Sequence, residues 1–363
     1  MASGTVGHKS VGIIANPAAG QDIRRLISAA SGYSIAEKTS IVRRICLGMR
    51  VTGVTRAYMI PDRSGIGGRL LRSRAQGTDV LNECWPEIEF LDMPVEETAV
   101  DTLRAVELMI EAGVQLIVVL GGDGTHRLVA TNCGDIPLVA LSTGTNNVFP
   151  HFQEATIAGI AAGLVASGAV PLSSATKRNK VLRVAIDGVL KDMALVDLCL
   201  TDDIWIGSRA IWKPERVKEI FVTFAEADAI GLSSVAGLSN PISRDSEQGL
   251  HLLLCPPGKG VQTLFAPIAP GLILPVGIAE INILNPHEMT TTKSKRGFVT
   301  LDGEREFAFR EDTEISVWLD PAGPLTIDVP RVMQIAAERG MLQYLSPHIS
   351  MDCFQLEDGV LPG

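Results

Sequence analysis

The stretch 116–125 constrains this chain more than any other. Five apolar residues, LIVVL, run directly into Gly121-Gly122-Asp123-Gly124-Thr125 and then into residues of helical character. A wholly apolar run of that length suits a parallel strand covered on both faces. In open α/β sheets ligands bind beyond the carboxyl ends of the strands, which is where the 121–125 turn would sit. Glycines there carry no Cβ, so peptide N–H groups can approach phosphate oxygens, and the helix that follows adds the positive end of its dipole. An Asp among them can hold a metal-bound water or take a proton from a hydroxyl. The same residues also suit a plain tight turn with Asp123 as helix N-cap.

The rest of the first half keeps a β-then-α rhythm. Residues 11–16, 56–60, 88–92 and 137–141 read as strands. Residues 34–50 read as a helix, with Ile35, Ile41, Val42, Ile45 and Met49 near 3.6 spacing; 96–112 read as another, with Leu103, Val106, Met109 and Ile110 on one face and Gly113 as its stop. This predicts a doubly wound parallel sheet through about residue 170. From Lys180 onward, strand-like runs follow without long helices, and Asp187-Gly188, Pro257-Gly258 and Asp302-Gly303 mark turns. The expected fold is therefore an α/β N-terminal domain with a parallel sheet plus a mainly antiparallel β C-terminal domain. The expected limits are 1–172 for the first, 173–330 for the second, and 331–363 for a helix and tail returning to the first.

Composition narrows the function. The net charge is −9, so no basic face for a nucleic-acid backbone is indicated, while a local anion site stays open. The start, MASGTVGHKS, lacks the apolar core of a secretory signal. The longest uncharged run, 260–279, contains Pro267, Pro270 and Pro275, so it reads as buried loop and strand and not as a membrane span. Cys46, Cys84, Cys133, Cys199, Cys255 and Cys353 form no CxxC pair and suit dispersed thiols in a reducing compartment. A cytoplasmic protein without membrane insertion is expected.

Further motifs supplement the glycine turn. Ser142-Thr143-Gly144-Thr145-Asn146-Asn147 also follows an apolar strand, and two hydroxyl-rich glycine turns after successive strands can line one crevice. Pro17 after the first strand excludes a GxGxxG fingerprint, and no Walker A spacing occurs. Asp302 and Glu304 flank Gly303; such a pair can serve as metal ligand or base, although most Asp-Gly pairs are hairpin turns. The six histidines show no zinc spacing, and His126 reads as a solvated residue at a helix start. Thr201-Asp202-Asp203, with Trp205 and Trp212 nearby, reads as a turn beside core aromatics.

These motifs resemble those of the superfamily that unites NAD kinases with diacylglycerol-type lipid kinases. Its GGDGT hallmark stands at 121–125. Asn16-Pro17-Ala18-Ala19-Gly20 is similar to the lipid-kinase NPxxG start, and 142–147 to the family GTGN-type turn. Residues 266–275 resemble the proline-rich stretch of the NAD-kinase β-domain, with Gly271 in place of a His, and 231–241 resemble its hydroxyl-rich substrate loop. The pattern resembles most the ATP-NAD kinase-like branch named for acetoin-catabolism protein X. One departure stands out. Where NAD kinases hold the dinucleotide with an Asn-Glu pair, this chain has Val196-Asp197 after Ala194-Leu195, and a valine side chain neither donates nor accepts.

The resemblance implies an ATP-dependent phosphotransferase acting on a hydroxyl, with NAD to NADP as the leading reaction. Other readings are a lipid or polyol kinase and a non-catalytic nucleotide-binding regulator of a catabolic pathway. By the same resemblance Asp123 and Glu304 would be catalytic, and Asp123 and Asp302 would hold Mg2+. Asn16, Gly121, Gly122, Gly124, Thr125, Thr143, Gly144, Thr145 and Asn146 would bind nucleotide. Asn147, Asp197 and Ser234 would bind the acceptor. The implied partners are small-molecule nucleotides and further copies of the chain in a homo-oligomer.

Overall fold

The structure is a computed structural model that describes residues 9–19, 32–75, 85–144, 147–202 and 214–343. Its first layer is a seven-stranded sheet of order β3-β2-β1-β4-β5-β18-β6. Its strands are β1 (Ser10–Ala15), β2 (Arg56–Met59), β3 (Glu87–Phe90), β4 (Ile117–Gly121), β5 (Leu138–Ser142), β6 (Thr176–Arg178) and β18 (Leu325–Ile327). All neighbours pair parallel except β18 with β6. The apolar run that opened the argument is buried for the expected reason. Leu116, Val118 and Leu120 pack into a core on one face of the sheet, while Ile117 and Val119 pack into a second core on the other.

Helices α1 (Ile35–Val51), α2 (Ile66–Ala75), α3 (Ala99–Glu111), α4 (Asp123–Asn132), α5 (Ala155–Ala166), the one-turn α6 (Leu172–Ala175) and, late in the chain, α8 (Val329–Glu338) cover this sheet. The start of α1 is fixed by a capping box: Ser34 Oγ accepts from Glu37 N and Glu37 Oε2 accepts from Ser34 N. Helix α5, absent from the expectation, packs on α1 so closely that a Cβ on Gly159 would lie 2.3 Å from the Ile45 carbonyl oxygen. Its mostly buried surface hides it from a periodicity argument, which needs a polar face. Strands β6 and β18, assigned from sequence to the second domain, complete the first sheet instead.

The second unit is antiparallel. A seven-stranded sheet of order β12-β13-β11-β10-β9-β15-β16 faces a four-stranded one of order β14-β17-β7-β8, in which β14 is the short Thr290–Thr291. Its main strands are β7 (Val181–Ile186), β8 (Val189–Ala194), β9 (Asp197–Thr201), β10 (Val217–Val222), β11 (Gly249–Cys255), β12 (Gln262–Ala269), β13 (Leu272–Leu284), β15 (Gly297–Leu301), β16 (Glu304–Phe309) and β17 (Ile315–Asp320). Leu182, Val184 and Val317 meet Leu198, Leu200 and Phe221 in the core between the sheets. The Asp-Gly turns fall where expected, with φ of 51° and 74° at Asp187 and Gly188 and 49° and 79° at Asp302 and Gly303.

Two expectations need correction here. Residues 260–279 are strand as expected, in the β12–β13 hairpin, but they are not buried throughout: Ala266, Ile268 and Val276 face the core while Phe265 is 73% and Ile273 is 62% exposed. Pro267 is tolerated because β12 is an edge strand, Pro270 stands in the turn, and Pro275 lies in the part of β13 that runs past its pairing with β11. The 231–241 stretch is not an open loop either, since it winds into helix α7 (Ser233–Ser239), packed on the sheet core. Among the described residues no helix is long and apolar enough to cross a membrane. Cys46, Cys133 and Cys199 are buried free thiols and Cys255 is half-buried; Cys84 and Cys353 lie outside the described residues.

Candidate active site

Strands β1, β4 and β5 end side by side, and their following turns form one constellation. Gly121 ends β4, and its carbonyl accepts from Thr143 N at 3.0 Å, which locks the first glycine turn to the second. Gly122 is the N-cap of α4 and, having no side chain, makes no side-chain cap hydrogen bond to the first turn of the helix. Asp123 is therefore the first helical residue and not the N-cap. Thr125 Oγ1 accepts from Asn16 Nδ2 at 2.9 Å, so the NPxxG start is tied to the same helix turn. Gly122 and Gly124 are only half-buried, so the turn is open to solvent there.

Asn147 fills the gap between the two turns. A Cβ on Gly122 would lie 2.9 Å from its Oδ1, and one on Gly144 would lie 2.5 Å from the same atom. Both glycines are thus required by close approach. Asn147 Nδ2 also donates to Ser142 Oγ at 2.7 Å. Thr143 Oγ1 is buried without a hydrogen-bond partner among the described residues. Beside it opens a recess of about 320 Å³, lined among others by Tyr33, Ile41, Arg44, Ser142, Thr143 and Phe152. Thr145 and Asn146 lie outside the described residues.

The buried Asp123 carboxylate holds the crevice together. Its oxygens accept from Val148 N at 3.0 and 3.1 Å and from Phe149 N at 2.9 Å. The carbonyls of the same two residues accept from Arg244, through Nη1 to Phe149 O at 2.9 Å and through Nη2 to Val148 O. Arg244 also pairs with Glu226 at 3.0 Å and lies 4.2 Å from the centroid of Phe224. Segment 148–149 is gripped from both sides, by the α/β layer on its N–H groups and by the β-rich unit on its carbonyls. Sequence reasoning missed Arg244, because nothing around Ser243-Arg244-Asp245 forms a motif.

The second unit supplies one carboxylate to the crevice. Glu304 opens β16, and its Oε1 would lie 3.3 Å from a Cβ on Gly124. Its hairpin is fastened to α4 by Arg127, a buried residue that donates to Asp192 at 2.6 Å and to Glu306 and lies 3.9 Å from Asp302. Arg127 is a second functional residue the sequence did not reveal. His126, expected to be solvated, is fully buried. Its Nδ1 lies 2.8 Å from the Gly122 carbonyl, which can only accept, so Nδ1 carries the proton. Burial pushes its pKa down to about 4.

Comparison with known proteins matches both units that form this crevice. Residues 11–170 match the ATP-NAD kinase N-terminal domain, and residues 180–322 match the acetoin catabolism protein X C-terminal domain. A relative from Cupriavidus necator, named acetoin catabolism protein X, is 43% identical over 341 residues, spanning 92% of this chain and 94% of its own. The chain belongs to the ATP-NAD kinase-like family of acetoin catabolism protein X.

Within this ATP-NAD kinase-like chain several expected site residues have other tasks. Asp302 does not fit a metal ligand: its carboxylate is fully buried and accepts from the N–H groups of Leu195, Val196 and Asp197 at 2.8–3.3 Å. Burial raises its pKa, against the opposing pull of Arg127 and those amides. Ser234 does not fit an acceptor contact, because it is buried in α7 and its Oγ donates to Gly231 O at 2.6 Å. Asp197 is buried in β9 and hydrogen-bonds Asp302 through its backbone. Val196 is sealed in a core with Val148, Phe149, Leu195 and Phe224. Among the described residues no three carboxylate, His or Cys groups gather to hold a metal. Glu304 is the carboxylate that remains beside the glycine turn, which suits the way Mg2+ is commonly held, by one or two carboxylates together with substrate phosphates.

Proposed function

We propose that this protein is an ATP-dependent phosphotransferase acting on a hydroxyl, with NAD to NADP as its leading reaction. The observation that carries the proposal is the apposition of Glu304 and the first turn of α4, at a glycine turn that is only half-buried at Gly122 and Gly124. Phosphoryl transfer asks for positioning and charge neutralisation more than covalent help. The peptide N–H groups at 122–125 would receive the donor phosphates, since they combine close backbone approach with the positive helix end. Glu304 would hold a Mg2+, which supplies charge neutralisation on the transferring group. Asp123 would act mainly by fixing 148–149, and with them the rim of the recess beside Thr143, where the hydroxyl compound would enter. Asn147 would orient whatever lies between the two turns.

A second acceptor class, a lipid or small polyol, is favoured by Val196. The side chain at the family's dinucleotide-holding position is buried in apolar surroundings and offers no polar atom. Incubation with Mg-ATP and NAD, NADH or a glycerolipid, followed by detection of phosphorylated product, separates these readings. Phosphorylated NAD supports the leading one, and product from the glycerolipid alone moves the activity to the second. Nucleotide binding without turnover on any acceptor would leave a non-catalytic regulator.

A further inference from the structure

Lys38 is the largest wholly buried cation among the described residues; it is 1% exposed. It sits one residue after the capping box of α1, so its backbone is rigidly placed. Its Nζ donates to three carbonyls of one turn, Asn16 O at 3.1 Å, Pro17 O at 2.7 Å and Ala19 O at 2.8 Å. That uses every donor an ammonium has. No carboxylate pairs with it among the described residues, and burial pushes its pKa down to about 8. A buried ammonium answered only by neutral carbonyls is costly, and a neutral donor could hold a turn with less desolvation.

The turn it grips leads to the glycine loop. Ala18 N donates to Asn16 Oδ1 at 2.8 Å, which orients the Asn16 amide, and Asn16 Nδ2 donates to Thr125 Oγ1. Thr125 stands in the first turn of α4, beside Gly124. The Lys38 nitrogen itself is enclosed and its three donors are all given to the 16–19 carbonyls, unlike those of a lysine that touches phosphate. We infer that Lys38 is a positioning residue for the donor-phosphate site, setting the 16–19 turn and, through Asn16 and Thr125, the first turn of α4. This rests on the reading of 121–125 as that site.

Hydrogen exchange on the full chain tests it without relying on turnover, and calorimetric titration with Mg-ATP tests its link to binding. Lys38→Met is expected to speed amide exchange in 121–126 by at least roughly fivefold and to leave 181–186 unchanged. It is also expected to weaken Mg-ATP binding roughly tenfold, the scale of one lost hydrogen-bond link. Asn16→Ala cuts the link while keeping the lysine, so it should loosen 121–126 alike and leave 35–51 protected. The double variant should be no looser than Asn16→Ala alone. Unchanged exchange at 121–126 in Asn16→Ala overturns the inference even if Lys38→Met fails to fold, and where it folds, unchanged exchange in it or strictly additive effects overturn it as well. Failure of the wild type to bind Mg-ATP would sink the function proposed above, whereas the exchange coupling between Lys38 and α4 is decided separately.

Discussion

Glu304 rests its carboxylate against Gly124, with Oε1 3.3 Å from where a Cβ on that glycine would stand. The contact joins the first turn of β16 to the first turn of α4. Gly124→Ala should be tolerated by the fold, since alanine favours a helix by about 0.5–1 kcal/mol over glycine. The new methyl would displace Glu304 by a few tenths of an ångström. Thermal unfolding is expected to be unchanged or slightly raised while phosphoryl transfer falls. A variant with full turnover would show that this apposition is incidental.

Glu304→Gln keeps the shape and removes the charge. Because Glu304 is half-buried at a strand end, the melting temperature should move little. Turnover should fall roughly 10²–10³-fold, the range for removing one preorganised electrostatic contact. Steady-state kinetics at varied Mg2+ provide the measurement, with the apparent Mg2+ requirement expected to rise.

Asp123→Asn should behave differently from Glu304→Gln. An amide presents one acceptor and turns its NH2 toward N–H groups that need an oxygen. Its oxygen in the place of Oδ1 could still accept from both Val148 N and Phe149 N, but the NH2 would face Val148 N and the charge would be gone. Bonds to a charged group are worth about 1.5–3 kcal/mol, so this variant should lose both stability and activity. Denaturant unfolding checks it, and an unaltered midpoint would return Asp123 to a purely chemical role.

Arg127→Met leaves Asp192, Glu306 and the buried Asp302 without their shared cation. Breaking a buried ion cluster by removing one partner costs about 3–5 kcal/mol. Loss of at least that order is expected in equilibrium unfolding, together with lowered activity through the displaced β16.

His126 gives a pH dependence of known sign. Its folded pKa, about 4, lies below the unfolded value of 6.5, so the unfolded chain binds the extra proton first as pH falls. The contribution is present above pH 6.5 and lost on descent toward pH 4, by up to about 3 kcal/mol. Comparing melting temperatures of wild type and His126→Gln at pH 7.5 and 4.5 isolates it. The gap between the two proteins should narrow on acidification.

Local signals made much of this fold legible. The apolar 116–120 run, the periodicity of 96–112 and the Asp-Gly turns each state their structure within a few residues. Asn16, Gly121, Thr125, Thr143 and Asn147 do meet, because successive parallel strands deliver their turns to one edge. What stayed hidden depends on contacts distant in the chain. Arg127 and Arg244 look like ordinary charged residues until β8, β16 and the 148–149 segment arrive around them. Asp302 reads as a candidate ligand from its neighbours alone, and only its amide partners in 195–197 show why it is enclosed. Helix α5 goes unread and the serines of α7 resemble a loop for a related reason, since small residues take their identity from what packs on them.

The β18 strand has a consequence for how the molecule is made. Thr326 lies beside Leu138, and Leu325 lies beside Arg178, so the chain quits the α/β layer and rejoins it on adjacent strands. A ribosome must therefore deliver nearly the whole polypeptide before that layer acquires its last rows. A nascent chain halted at residue 172 would expose the rim of β5; in the finished molecule everything between 178 and 325 hangs from two neighbouring tethers. A short bridge grafted between those tethers is the natural place to divide the protein into two separately folding halves.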